Sequence, residues 1–133
     1  MLQTGDCLLI ETNPNGYGHI QFHLFILILI YQKEIIYTII VPVETLRSPK
    51  HDRTTVLKPG CHEFITKDSY INYRRAKITP VSDLQQHVDD GDMKVKSPFN
   101  EAILQRVCDG ILKSQFTPTD VRELYQDYLY GNF

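Results

Sequence analysis

Residues 19–43 carry the strongest constraint in the chain: HIQFHLFILILIY, then Gln32-Lys33-Glu34, then IIYTIIVPV. Both runs are rich in β-branched residues, whose stiff side chains suit a pleated strand better than a helix. The first run is apolar on both faces, so both faces need cover. Its uninterrupted apolar part, residues 24–31, is too short for a membrane-spanning helix. The pattern therefore predicts strands over residues 19–31 and 35–43 joined by a tight hairpin, with Pro42 near the end of the second, where a missing N–H matters least.

Shorter signals surround this hairpin. Residues 5–12 read as a first strand with Cys7 and Leu9 inward, Leu8 being a third candidate, and Asn13-Pro14-Asn15-Gly16-Tyr17-Gly18 as a loop by turn chemistry. Residues 44–53 form a polar, basic loop, residues 54–57 a short strand, and Lys58-Pro59-Gly60 a turn of type II. Residues 68–70 read as a turn or the start of a short helix and residues 73–78 as a strand. Several short strands separated by turns predict a compact β-barrel or rolled sheet over residues 1–80.

Residues 81–133 change to helical spacing. A short helix is expected near residues 80–88, capped by Ser82. Ser97-Pro98 starts a second, with Phe99, Ile103, Leu104, Val107, Ile111 and Leu112 as its apolar stripe. Thr117-Pro118-Thr119-Asp120 starts a third, striped by Val121, Leu124, Tyr125, Tyr128 and Leu129. The fold class expected is mainly β with α, in one domain over residues 1–133, the barrel closed by C-terminal helices.

Three cysteines, Cys7, Cys61 and Cys108, without a CxxC pair, argue against a disulfide framework and a structural zinc site. With MLQTGDCLLIE unlike a signal peptide, a reducing cytoplasm is the expected location, with no membrane association. No HExxH, phosphate loop, dinucleotide fingerprint or GxSxG is present, and no histidine pair has metal-ligand spacing; no metal and no cofactor are expected.

Charge is distributed unevenly. Residues 44–79 hold eight Lys or Arg against four acids, a local +4 in a chain of net charge −2. A locally basic surface can meet a polyanion, although a solvated face with ordinary charges has the same composition. Arg53 beside Thr54 suits a phosphodiester: the guanidinium neutralises developing charge and the hydroxyl bonds a phosphate oxygen. His23, embedded in an apolar strand, and His62, accessible after the Pro-Gly turn, are candidate proton carriers; the alternative for His23 is a hydrogen-bonded structural ring and for His62 an exposed polar residue. Cleavage of RNA needs little more, because the 2′-hydroxyl supplies the nucleophile. Tyr70, Tyr73, Arg74 and Arg75 interleave rings with charge, a combination that stacks bases and holds phosphates; Arg47, Lys50 and Lys77 extend that basic set.

The stretch TTVLKPGCHEFITKDSYINYRRAKI resembles a PGxHxFI…SYxxYxxA pattern of a family of small bacterial proteins. GDCLLIETNP, HLFILIL and LQRVCDGILKSQFTP resemble the opening and the helical end of the same family, so the resemblance spans most of the chain. The order of elements is also distantly similar to the MazF/PemK toxins, SH3-like barrels that cleave RNA and are held inactive by antitoxin partners. Those toxins place an Arg-Pro before the second strand; here Phe22 and His23 stand there. Either His23 substitutes in the chemistry, or the barrel has no nuclease activity.

Two functions follow as expectations. One is a toxin-like, metal-independent endoribonuclease of a toxin–antitoxin system, with His23, Arg53, Thr54 and His62 catalytic and an antitoxin-like protein as partner. The other is a non-catalytic SH3-like module that binds a protein or a nucleic acid such as RNA through Arg47, Lys50, Tyr73, Arg74, Arg75 and Lys77. A homodimer is compatible with both.

Overall fold

The computed structural model describes residues 2–12, 21–32 and 34–131, leaving aside the side chains of residues 11–12, 21–24, 27 and 32. The loop expected at residues 13–18 lies outside the described residues. Seven strands are described, β1 (Cys7–Thr12), β2 (Gln21–Gln32), β3 (Ile35–Thr45), β4 (Val56–Leu57), β5 (Ser69–Ile71), β6 (Lys77–Pro80) and β7 (Met93–Lys96). Three α-helices accompany them, α1 (Val81–Asp90), α2 (Glu101–Lys113) and α3 (Thr119–Tyr130).

The long hairpin organises everything else. β2 and β3 pair antiparallel from Leu24↔Val43 to Gln32↔Ile35, the reversal lying where the polar triplet predicts it. β1 adds to the outer edge of β2, and β7 to β1. The other edge of β3 is shared, residues 37–40 pairing with β6 and residues 43–45 with β5. β4 then pairs with β5, giving the order β4-β5-β3-β2-β1-β7.

Among the described residues the fold is mixed α/β with an open antiparallel sheet, and no barrel is shown. Two physical features go with the open form. The terminal strand β7 carries Lys94 and Lys96, and charged edge strands resist further pairing. The helices, not a closing strand pair, supply the apolar cover that the sheet needs.

Alternation along the strands sorts side chains onto two faces, as the doubly apolar pattern requires. Cys7, Leu9, Ile26, Ile28, Ile30, Ile39 and Val41 face a core completed by Val107 and Ile111 of α2 and Val121 and Tyr125 of α3. Leu8, Leu29, Ile36 and Ile40 face a second cluster with Leu84 of α1. The expected stripe of α3 ends early, since Tyr128 and Leu129 are exposed.

Boundaries shift where tertiary contacts compete with local signals. Ser82 lies inside α1, whose first turn has no side-chain cap. α2 is capped not by Ser97 but by Asn100, whose side chain accepts from the Ile103 amide at 2.9 Å. Phe99, expected in the helical stripe, is buried ahead of the helix. Lys58-Pro59-Gly60 forms the expected turn: Gly60 has φ +91° and the Cys61 amide donates to the Lys58 carbonyl at 3.3 Å. No described helix is long and apolar enough to cross a membrane.

Candidate functional site

The basic loop between β3 and β4 is held by its own short polar side chains. The Ser48 hydroxyl accepts from the Lys50 amide at 3.1 Å, and the Ser48 carbonyl from the His51 amide at 3.2 Å. Asp52 Oδ1 accepts from both the amide and the hydroxyl of Thr54, at 2.9 and 2.6 Å. These are side-chain-to-backbone turns of the kind Ser and Asp favour. Asp52 Oδ2 then accepts from the Ser114 hydroxyl at 2.6 Å, fastening the loop to the end of α2.

Fastened in this way, the loop forms one side of a cleft of about 190 Å³. Lys50, His51 and Asp52 come from the loop; Tyr70, Asn72 and Arg74 come from β5 and the turn after it; Phe116 comes from the α2–α3 connection. The His51 ring stacks on Tyr70 at 4.5 Å between centroids and 21° between planes. The Arg74 guanidinium sits over the Phe116 ring at 4.4 Å, an arrangement in which the ring quadrupole attracts the cation.

Glu44 supports this cleft from behind. Its Oε1 accepts from the Tyr70 hydroxyl at 3.0 Å, and its Oε2 from Asn72 Nδ2 at 3.0 Å and Arg75 Nη1 at 3.4 Å. Burial, with the Glu44 hydrogen bond, pushes the Tyr70 hydroxyl up to about 12, so it keeps its proton near neutrality. The His51 Nδ1 accepts a long 3.4 Å bond from the Arg47 amide, so in the neutral ring Nε2 carries the proton.

Arg74 and Lys50 of the predicted binding set are therefore brought together. Arg47, Arg53 and Lys77 are exposed and none of them lines the cleft. Arg75 is spent on Glu44. Thr54 bonds Asp52 through its hydroxyl. His23 pairs with Ile10 in the sheet, and its side chain lies outside the described residues.

Two readings change. His62 is not an accessible turn residue; it is 7% exposed. Its Nδ1 accepts from the Phe64 amide at 3.2 Å and its Nε2 bonds the Ser97 carbonyl at 2.6 Å, so both nitrogens are satisfied. Its ring lies 4.6 Å from that of Phe99 and is a structural bridge to the segment before α2. Tyr73 is no stacking platform either, being wholly buried. Its hydroxyl donates to the Val107 carbonyl at 2.8 Å and meets Thr55 Oγ1 at 2.8 Å, while burial raises its pKa far above the ordinary tyrosine range. The expected strand from Tyr73 begins instead as a 3-10 turn, Tyr73–Arg75, and β6 starts at Lys77.

Sequence reasoning passed over His51, Asp52, Asn72 and Phe116. The available signal was the spacing Ser48-x-Lys50-His51-Asp52-x-Thr54, two consecutive side-chain turns that present the intervening residues rigidly. Phe116 carried a second signal, an aromatic residue outside any helical stripe, just before a helix start. Among the described residues no three His, Cys, Asp or Glu side chains group to hold a metal ion. No family model, curated protein or solved structure matches the chain.

Proposed function

We propose that the protein binds single-stranded RNA, with the cleft between the basic loop and the α2–α3 connection as its site. One observation carries this reading: Lys50 and Arg74, from separate segments, flank the same cleft as the stacked His51–Tyr70 pair. Cations that follow a phosphate backbone beside a ring that accepts a base are what a single strand needs, and of the stacked pair the partly exposed His51 ring would take that part, backed by the buried Tyr70 ring. The donors suit a phosphate: an ammonium, a guanidinium and an Nε2–H of a neutral imidazole. Asp52 opposes an anion, but its carboxylate is already bonded to Thr54 and Ser114, and two cations outnumber it.

The fold reading that accompanies this function is an SH3-like sheet. It is supported by β3 giving one edge in succession to β6 and β5. A second reading, metal-independent cleavage in the manner of a toxin ribonuclease, is favoured by the imidazole of His51 in the cleft, in the proton-carrying role first expected of His23 or His62. An antitoxin-like partner and a cytoplasmic location belong to it. Binding has the better support, because it needs only the cations and the ring that line the cleft, while cleavage also needs a base placed at the 2′-hydroxyl.

Fluorescence anisotropy with labelled 12-nucleotide RNAs in EDTA tests both readings. Binding should weaken with salt, and Lys50→Ala and Arg74→Ala should each lower the slope of log K against log salt by about 0.7, the contribution of one single-strand phosphate contact. Absence of binding at low salt sinks the proposal. Cleavage to 2′,3′-cyclic phosphate ends, lost in His51→Ala, would promote the second reading over the first.

A further inference from the structure

β7 ends the sheet and is hydrogen-bonded on one side, to β1; among the described residues no other strand pairs with it. On an edge strand every second residue turns its N–H and C=O outward, where a further strand completes the ladder. The register sorts the side chains of β7. Val95 lies opposite Leu8, on the face of the smaller apolar cluster, and is exposed. Lys94 and Lys96 lie opposite Leu9 and Cys7, on the face of the main core. Lys96 Nζ sits 5.5 Å from the ring of the exposed Phe64. Two carboxylates close to the strand are engaged elsewhere. Asp92, which precedes it, meets His87 at 3.2 Å, and Glu63 accepts from the Ser97 hydroxyl at 3.4 Å, just beyond it.

We infer that β7 is a docking edge for an extended segment of another protein, in which acidic residues alternate with β-branched ones. The inference is independent of RNA binding, since no residue of β7 lines the cleft. An added strand sets its residues directly opposite those of β7, on the same faces. Acids opposite Lys94 and Lys96 form cross-strand ion pairs, and a β-branched residue opposite Val95 covers an exposed apolar side chain. Main-chain bonds hold such a segment, and the alternation selects it. A second copy of this chain fits poorly. Two-fold antiparallel pairing of β7 with itself opposes even-numbered residues to even-numbered ones. Centred on Lys94 it sets Lys94 against Lys94; centred on Val95 it sets Lys94 against Lys96. Like charges directly opposite are destabilising, so the lysines that discourage self-pairing are the ones an acidic strand satisfies.

The probe is acetyl-Glu-Val-Glu-Val-Glu-amide at millimolar concentration, added to the isotope-labelled full chain and read by amide hydrogen exchange and chemical shift. Amides of β7 should exchange more slowly with the peptide present, and their shifts should move while those of the basic loop do not. In Lys94→Glu/Lys96→Glu, affinity for this peptide should fall by about tenfold, for two cross-strand ion pairs lost, and affinity for the Lys-Val-Lys-Val-Lys counterpart should rise. That reciprocal gain shows the variant to be folded. N-methylation of alternate peptide residues should abolish binding in one phase and spare it in the other, because only every second amide enters the ladder. Binding indifferent to N-methylation, or no slowing of exchange in β7, overturns the proposal. So does slowing that grows with protein concentration alone, which assigns the edge to a second copy.

Discussion

The Ser114 hydroxyl donates to Asp52 Oδ2 at 2.6 Å across 62 residues of sequence, and it also accepts from the Phe116 amide at 3.1 Å. One fully buried hydroxyl therefore positions both the loop carrying Lys50 and His51 and the segment carrying Phe116. Arg122 caps the same corner, donating to the carbonyls of Leu112 and Ser114 at 3.0 and 2.6 Å. Ser114→Ala leaves an amide and a carboxylate oxygen without their partner, at a cost of about 1–3 kcal/mol. Urea unfolding should show that loss, and hydrogen exchange should show faster opening of residues 48–54 than of β2 and β3.

Gly110 explains why a helix tolerates its least favourable ordinary residue. A Cβ built there meets the Tyr73 hydroxyl inside contact distance, with Tyr73 Cζ at 2.5 Å and Thr55 Oγ1 at 2.7 Å. In an exposed helix Gly110→Ala would gain about 1 kcal/mol. Here overpacking against a ring fixed by two hydrogen bonds reverses the sign, and the net loss is about 1–3 kcal/mol. Adding Tyr73→Phe should recover part of it by removing the nearest atom, a coupling that a double-mutant cycle in urea measures.

Alkaline pH should unfold the protein in a defined window. Burial pushes the Cys7 thiol from its ordinary 9.0 up to about 12, and the Tyr70 hydroxyl from 10.0 up to about 12. Both groups are almost wholly neutral in folded and unfolded chains below about pH 8. Above their ordinary values the unfolded chain loses protons that the folded one keeps, so stability falls as pH rises toward 12. The slope is up to about 1.4 kcal/mol per pH unit for each group. Denaturant unfolding at pH 7.5, 9.5 and 10.5 should show the decline, and Cys7→Ala should lessen its onset between pH 9 and 10, to which the burial-raised thiols of Cys61 and Cys108 also contribute.

His62 and His51 should separate cleanly. His62→Ala removes a ring that bonds the Ser97 carbonyl and the Phe64 amide and packs on Phe99, so it lowers the melting temperature. Among molecules that remain folded, RNA affinity should stay within about twofold, less than one lost hydrogen bond. His51→Ala should do the reverse. Parallel loss of affinity in both variants would place His62 in the binding surface after all.

These contrasts mark what the sequence makes legible. The β2–β3 hairpin and the turn at Pro59-Gly60 follow from local chemistry alone, and so their positions were readable. β7 was not, because MKVK has little strand character by itself and gains it by pairing with β1. The strand expected at residues 73–78 broke because the Tyr73 ring is drawn into α2. His62, Ile65, Ser69, Tyr70, Tyr73 and Ala76, which carry much of the PGxHxFI…SYxxYxxA resemblance, are all buried, so that pattern reports packing more than exposed chemistry. The charge excess of residues 44–79 did point to the cleft, but only the folded loop shows that His51, not His23 or His62, shares it with Lys50 and Arg74.

Arg74 provides the sharpest test of how the cleft would hold the proposed RNA. A lysine at this position keeps the charge but lacks the planar surface that lies on Phe116. If the guanidinium acts only as a charge, Arg74→Lys should bind RNA as the wild type does. If the stacked plane orients it, affinity should fall several-fold while the salt slope stays unchanged, because the number of neutralised phosphates is the same. The Phe116 ring supplies that plane, so Phe116→Leu should weaken binding similarly in the wild-type background and have little further effect in Arg74→Lys. Titrations of the four proteins at three salt concentrations measure this non-additivity directly.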